Sequence, residues 1–529
     1  MDTTARQQQP LKVLLELRPA LDKHAGIPQQ TRLLFRGLSR LEGVKVEGLI
    51  QSSMNALREG LPARGVTRRT LPGHRQIDRL SRVVIMLEQR FLRSRFSVVP
   101  TLLRRLIGAS ENLSRFDATH FEDFIWRRLF ARSLPSTDFE TVVRADFRIA
   151  KTPWTTMHIC RVVTKFLGIP VFPRLDTRDF NVMIAETPYP GVVSPGTQLV
   201  VRYHDAIPLL MPHTISDRRH HQAFHYGALR QNVRSGAWFV CVSDATRTDL
   251  LAVFPELESR SVTIHNVVSH DYFDEESSLS RVREIVGMRL NAKAYGTSSG
   301  STQSMSSRGG VSLDPEYLLM VSTIEPRKNH LSLLAAWERL RAGRYPNLRL
   351  VLVGHLGWHH REIISKIKPW LERGEAYCLA DVPSPELRLL YKHARATVCP
   401  SFAEGFDLSG VEAMASGGVV IASSLPVHRE VFADAAEYFN PYSVDEMAGA
   451  IVAVIAADGM ARRQKLLSRG SEVAQRYTCD AVLSKWEGFL TYIANSDARI
   501  RPTHFSHINE CICSNFSSAD QGGKATRVR

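Results

Sequence analysis

Apolar positions along the chain follow two alternating patterns. Short apolar-rich runs bounded by Gly, Pro, Asp or Asn, at 11–17, 199–203, 238–243, 262–268, 317–322, 348–353, 377–380 and 419–422, predict buried strands. Helical spacing follows several of them: Leu33, Leu34, Gly37, Leu38 and Leu41; Leu333, Leu334 and Trp337; Leu483, Trp486, Phe489 and Tyr492. Strand, Gly-containing loop and helix in that order begin a Rossmann-like half, so the pattern predicts an α/β fold. Residues 296–310 break it, being poor in apolar residues and rich in Ser and Gly. The expected division is a flexible N-terminus over 1–9, a first domain over 10–271 and a flexible linker or insertion over 272–316. A second domain over 317–478, a last helix over 479–497 and a disordered tail over 498–529 follow.

The stretch from Pro400 to Gly418 holds the clearest chemistry. The apolar run 396–399 leads into a Gly-containing loop, after which Leu408, Val411 and Ala415 recur at helical spacing. Asp407 or Ser409 is expected to cap this helix, leaving backbone N–H groups and the positive dipole end facing the loop, a setting suited to phosphate. Glu412 lies one turn in, on the face of Leu408 and Ala415, where a carboxylate without a partner is costly; a ribose diol would be that partner. Glu404 precedes the helix, and Gly405 allows close approach of backbone to a ligand. A plain capped helix with two solvated glutamates fits the same pattern.

Glu404 and Glu412, within EGFDLSGVEAM, resemble the Glu-x7-Glu signature of retaining nucleotide-sugar glycosyltransferases with the GT-B fold. The resemblance extends through Ala422–Val431 (ASSLPVHREV) and back to Val321–His330 (VSTIEPRKNH), and is greatest to the bacterial mannosyltransferase branch that assembles surface polysaccharides. It implies two Rossmann-like domains facing across a cleft, the first binding acceptor and the second nucleotide sugar, with 479–497 crossing back to the first domain.

The same resemblance assigns roles. Glu412 would bind ribose, Glu404 the hydroxyls of the transferred sugar, and Lys328 the donor diphosphate together with the helix start at Asp407, Leu408 and Ser409. Gly405 and Phe406 belong to that loop, and Val382 lies at the expected base pocket. His204, at the end of the predicted strand 199–203, would reach the transferred sugar from the opposite domain. Gly26, in the first Gly loop, would lie over donor phosphates and acceptor, or serve as a plain turn. Thr323 stands where the family has an arginine, and Arg327 beside Lys328 is the candidate replacement. GDP-mannose is the preferred donor on the branch resemblance alone, another GDP- or UDP-hexose staying open. The acceptor would be a lipid-linked or polysaccharide chain. No metal is required for such a reaction, and without G-x-G-x-x-G no dinucleotide cofactor is expected.

Composition narrows the partners. Over 529 residues, 68 Lys and Arg against 53 acidic residues give a net charge of +15, which favours polyanions: nucleotide phosphates, an anionic membrane surface or nucleic acid. No aromatic-basic module of the usual kinds is present, so nucleic acid is not expected. Residues 75–105 interleave bulky apolars with eight arginines. They fit a helix lying on anionic lipid, and fit better a core helix with a solvated arginine face. His221 and His225 have i, i+4 spacing without the Glu of a zinc motif, and His504, His507, Cys511 and Cys513 match no zinc spacing. The seven scattered cysteines suit a reducing compartment. The start lacks a signal-peptide core and no apolar run reaches the ~18 residues of a span, so a cytoplasmic protein, peripheral at the inner membrane face at most, is expected. A same-fold epimerase and a non-enzymatic polyanion binder are the alternatives.

Overall fold

The computed structural model describes residues 9–21, 26–62, 72–88, 98–165, 170–295 and 316–495. The Ser/Gly-rich stretch 296–310, the tail from 498, and Arg90, Arg93 and Arg95 of the basic stretch lie outside the described residues.

Two sheets organise the chain. The first contains β1 (Leu11–Glu16), β2 (Val44–Gln51), β4 (Ser114–Phe116), β5 (Asp146–Ala150), β7 (Val182–Ala185), β8 (Gln198–Tyr203), β9 (Trp238–Cys241) and β10 (Ser261–Thr263). Its order is β10-β9-β8-β7-β1-β2-β5-β4, parallel except for β4, while β3 (Glu111–Asn112) and β6 (Leu175–Asp176) pair separately. The second sheet contains β11 (Tyr317–Val321), β12 (Arg349–Val353), β13 (Ala376–Leu379), β14 (Ala396–Cys399), β15 (Val420–Ser423) and β16 (Ala436–Phe439), in the order β13-β12-β11-β14-β15-β16, all parallel.

In both sheets the strand order reverses at the first strand, between β1 and β7 and between β11 and β14. Open parallel sheets bind ligands outside the carboxyl ends of the strands at such reversals. The loops after β11 and β14 carry Thr323–Lys328 and Glu404–Asp407, and the loop after β1 ends at Gly26.

Parallel strands covered on both faces are apolar throughout, and the cores follow from that. Val13, Leu15 and Ile184 lie under one face of the first sheet, Leu14, Met183 and Tyr203 under the other. The last helix, Cys479–Asn495, seats Val482, Trp486 and Phe489 in the first sheet's core, with Trp486 fully buried. Leu483 packs so tightly on Gly37 that any side chain there would collide with it.

Three elements depart from the pattern-based reading. The stretch 272–316, expected as a flexible linker or insertion, holds the helix Leu279–Tyr295, which buries Val282, Ile285 and Val286. The expected strand 262–268 ends at Thr263, because the side-chain amide of Gln30 replaces a strand neighbour: it donates to the Val267 carbonyl (2.7 Å) and accepts from the Val267 N–H (3.0 Å). The basic stretch 75–105 holds two helices, Gly73–Glu88 and Val98–Leu106. The first buries Leu80, Val83 and Leu87 and turns Arg79 and Arg82 toward Glu59, at 3.9 and 3.6 Å. This is the core-helix arrangement with charges outward. No helix among the described residues is long and apolar enough to cross a membrane.

Candidate functional site

The second-domain wall of the cleft is built from two loops stapled together. After β11 the chain makes a 3₁₀ turn, Pro326–Lys328, and Asn329 takes the left-handed conformation (φ 63°) before the helix His330–Ala342. The buried Asn329 amide donates to the carbonyls of Pro400 (3.0 Å) and Pro441 (2.9 Å), and the Phe402 N–H bonds the Arg327 carbonyl (2.9 Å). These bonds place Arg327 and Lys328 against Glu404. Arg327 pairs with Glu404 (3.0 Å) and Glu325 (2.8 Å), Lys328 pairs with Glu404, and the Ser401 hydroxyl donates to Glu404 at 2.6 Å. Burial alone would raise the Glu404 carboxyl; the two cations outweigh it and hold it below its ordinary value. Arg327 therefore points inward and supplies a second cation beside Lys328, while Thr323 lies on the same cavity wall.

The signature helix, Leu408–Ala415, is not capped as expected. Asp407 occupies the N-cap position in the left-handed conformation (φ 66°) and makes no side-chain cap bond. Its carboxylate is turned to His428 Nε2 (3.1 Å) and accepts from the Ser409 hydroxyl (2.5 Å), so both predicted caps are engaged with each other. The Asp407 carboxyl is depressed despite its burial, chiefly by His428. The helix start thus lacks a side-chain cap, and its first residues, Leu408 and Ser409, line the cleft.

Glu412 also differs from expectation. Its buried carboxylate already has protein partners, Gln29 Nε2 from the first domain and the Tyr391 hydroxyl, each at 3.1 Å. Burial raises its carboxyl to about 7, against those two hydrogen bonds.

The first-domain wall presents His204 at the end of β8. Its Nε2 lies 3.5 Å from Glu186 Oε2, and burial lowers the imidazole below its ordinary value. Behind it stands a network of buried charges. Arg202 reaches Glu186 (3.3 Å), Gln30 Oε1 (3.2 Å) and Asn266 (2.8 Å); Glu16 pairs with Arg18 (2.7 Å) and accepts the Glu186 N–H (3.0 Å). Gly26, with φ 67°, precedes the helix Ile27–Leu38 that carries Gln29 and Gln30.

Gly405 does something other than admit a ligand. A Cβ there would collide with the His204 carbonyl oxygen, and the Gly405 carbonyl accepts from Ser243 (2.7 Å) and Thr246 (3.2 Å) of the first domain. The close backbone approach is domain to domain. All twelve predicted site residues nonetheless line one cleft of about 930 Å³: Gly26, His204, Arg327, Lys328, Val382, Glu404, Gly405, Phe406, Asp407, Leu408, Ser409 and Glu412. Among the histidines of the first domain, His221 instead meets Trp358 edge to face (5.6 Å), and His225 is buried beside Tyr203.

Sequence reading gave no role to Glu186, Arg202, Tyr391, His428 or Glu430. Glu186 sits just past β7, at the strand reversal, and that position was its one sequence signal.

The family profile for glycosyl transferases group 1 matches residues 302–470, which contain both stapled loops. Over those residues the chain is similar to the glycosyl transferases group 1 family. Over 269 residues the chain is 27% identical to O-antigen chain mannosyltransferase B of Escherichia coli, covering 51% of this chain and 62% of that protein. Over 136 residues it is 35% identical to the serotype-specific mannosyltransferase WbdA of Escherichia coli, covering 25% of this chain and 16% of the relative. The chain thus spans less than two thirds of the length of these curated relatives. The sucrose-phosphate synthase of Thermosynechococcus elongatus superposes with a TM-score of 0.52 at 13% identity, over 91% of this chain and 99% of that one. At such identity the likeness speaks for the fold, which is GT-B.

Proposed function

We propose that the protein is a retaining glycosyltransferase that moves mannose from GDP-mannose onto a lipid-linked or polysaccharide acceptor in surface-glycan synthesis. The observation that carries this reading is the convergence of both strand reversals on one cleft, where Glu404, Lys328, Arg327, the open helix start and Glu412 stand opposite His204. Charge develops on the departing nucleoside diphosphate. Fixed N–H dipoles at Leu408 and Ser409 together with Lys328 and Arg327 stabilise it, a preorganised field that needs no reorganisation during reaction. Donor hydroxyls take over the Glu404 acceptor sites, which frees Lys328 for phosphate. Ribose replaces Gln29 at Glu412, and Val382 with Asp381 borders the base. The acceptor hydroxyl approaches on the leaving-group face beneath His204, and a donor phosphate oxygen takes its proton.

The acceptor side carries a second element of the proposal. Val99, Leu103 and Ile107 recur four residues apart and are 64%, 57% and 79% exposed, next to Arg104 and Arg105. Such a face lies on anionic lipid. Co-sedimentation with phosphatidylglycerol vesicles that is lost in Leu103→Asp supports it; equal sedimentation of the variant removes it.

Release of free nucleoside diphosphate from GDP-mannose and from UDP-glucose, with EDTA present, tests the reaction alongside Glu404→Ala and Glu412→Ala. Turnover of GDP-mannose that both variants abolish supports the full reading. Turnover of UDP-glucose instead overturns the donor, and failure to bind either donor overturns the transferase reading.

A further inference from the structure

The helix Asp244–Val253 of the first domain begins against the second domain, and a carboxylate from across the cleft completes its first turn. Helix starts leave backbone N–H groups without intrahelical partners. Here the N-cap Ser243 hydroxyl accepts from the Thr246 N–H at 3.0 Å. The two N–H groups before it are satisfied from outside: Glu430, on the helix Pro426–Phe432, accepts from the Asp244 N–H (2.7 Å) through one oxygen and from the Ala245 N–H (2.9 Å) through the other. His265 Nε2 closes the arrangement on Glu430 at 2.9 Å. The same Ser243 and Thr246 hydroxyls donate to the Gly405 carbonyl. One helical turn thus docks on two motif segments of the second domain, the loop bearing Glu404 and Gly405 and the helix Pro426–Phe432.

The turn is tied equally firmly to the reaction centre of its own domain. It follows β9, whose neighbour β8 leads directly into His204, and the Val242 N–H bonds the Tyr203 carbonyl (3.2 Å). The His204 carbonyl in turn rests on the Gly405 backbone. Moving this turn away from Glu430 moves His204 away from Glu404.

We propose that Glu430 is a positioning residue: it reaches across the cleft to cap the helix Asp244–Val253 and thereby sets the spacing between His204 and the Glu404 loop. This rests on the transferase reading, because the spacing matters only if both walls act on one substrate. Glu430 lines none of the cleft, and its charge is consumed by two backbone N–H groups and His265. Its loss should therefore affect the chemical step more than nucleotide binding, which the second domain performs with its own residues.

The test compares Glu430→Ala and Glu430→Gln with the unaltered protein by three readouts: hydrogen exchange of the amides around 244–246, GDP affinity, and GDP release from GDP-mannose. For Glu430→Ala, turnover should fall about 10- to 100-fold, the scale of losing charge-assisted hydrogen bonds, while GDP affinity changes by less than about threefold. Exchange at the helix start should accelerate with cooperative melting retained. Glu430→Gln keeps a carbonyl acceptor for one N–H and should recover part of the turnover. Unchanged exchange in Glu430→Ala overturns the proposal, as does a loss of GDP affinity equal to the loss of turnover. If the unaltered protein binds no donor, the transferase reading fails by itself, and exchange together with small-angle scattering still decides whether Glu430 holds the cleft closed.

Discussion

The two walls of the cleft are built by opposite means. The second-domain wall comes from loops that are continuous in sequence, with Glu404, Asp407, Ser409 and Glu412 inside nine residues and Arg327 and Lys328 adjacent to each other. The first-domain wall presents His204 beside Gly26 and Gln29, and behind it Glu16, Arg18, Glu186, Arg202 and Gln30 meet from three separate strands or their ends and a helix. Ligand-facing charge can sit on a loop and be neutralised by its neighbours. A histidine facing the same space from a strand end needs its charges supplied through the core, where every polar group must find a partner.

The difference is open to test, beginning with its largest expected effect. Arg202→Leu leaves Glu186 and Gln30 buried without their cation, and breaking a buried pair from one side costs about 3–5 kcal/mol. Urea unfolding should show this; a loss below about 1 kcal/mol would mean that the network is slack rather than structural.

On the second wall the corresponding cost depends on pH. Glu412 holds its proton up to about 7 in the folded chain, above its value in the unfolded chain. Its contribution to stability is fully present below the ordinary carboxylate range and is lost as pH rises from about 4.5 to about 7, by about 3 kcal/mol in total. Glu412→Gln should be flatter than the unaltered protein across that window in unfolding free energy against pH. Parallel curves would contradict the assignment.

Where the walls touch, Gly405→Ala must push the His204 carbonyl away. The expected cost is about 1–3 kcal/mol, with a larger radius of gyration by small-angle scattering. The smallest effect is that of Ser243→Ala, which removes one cap and one cross-cleft bond, for about 1 kcal/mol in thermal melting.

The same contrast explains what was legible from the chain itself. Many of the strand runs, the two Rossmann-like halves and the second-wall residues were readable, because local periodicity and adjacency encode them, whereas β2, β5, β7 and β16 were not picked out. Long-range pairings were not. Gln30 ending a strand at Thr263, Glu430 capping a helix 186 positions away, and Gly405 meeting His204 depend on the packing of distant segments. Glu412 illustrates the boundary. Its burial followed from helical spacing, whereas its partners Gln29 and Tyr391 lie 383 and 21 residues distant and left no mark nearby. Likewise Asp407 was readable as a helix-start residue, but its commitment to His428 follows from where the helix Pro426–Phe432 packs.

Titration calorimetry with GDP-mannose in EDTA, on the unaltered protein and on Lys328→Gln and Glu412→Gln, tests the central claim most directly. Metal-independent binding that both substitutions weaken is the expected result. Binding unaffected by either substitution, or no binding of any nucleotide sugar, would contradict the assignment of this cleft as the donor site.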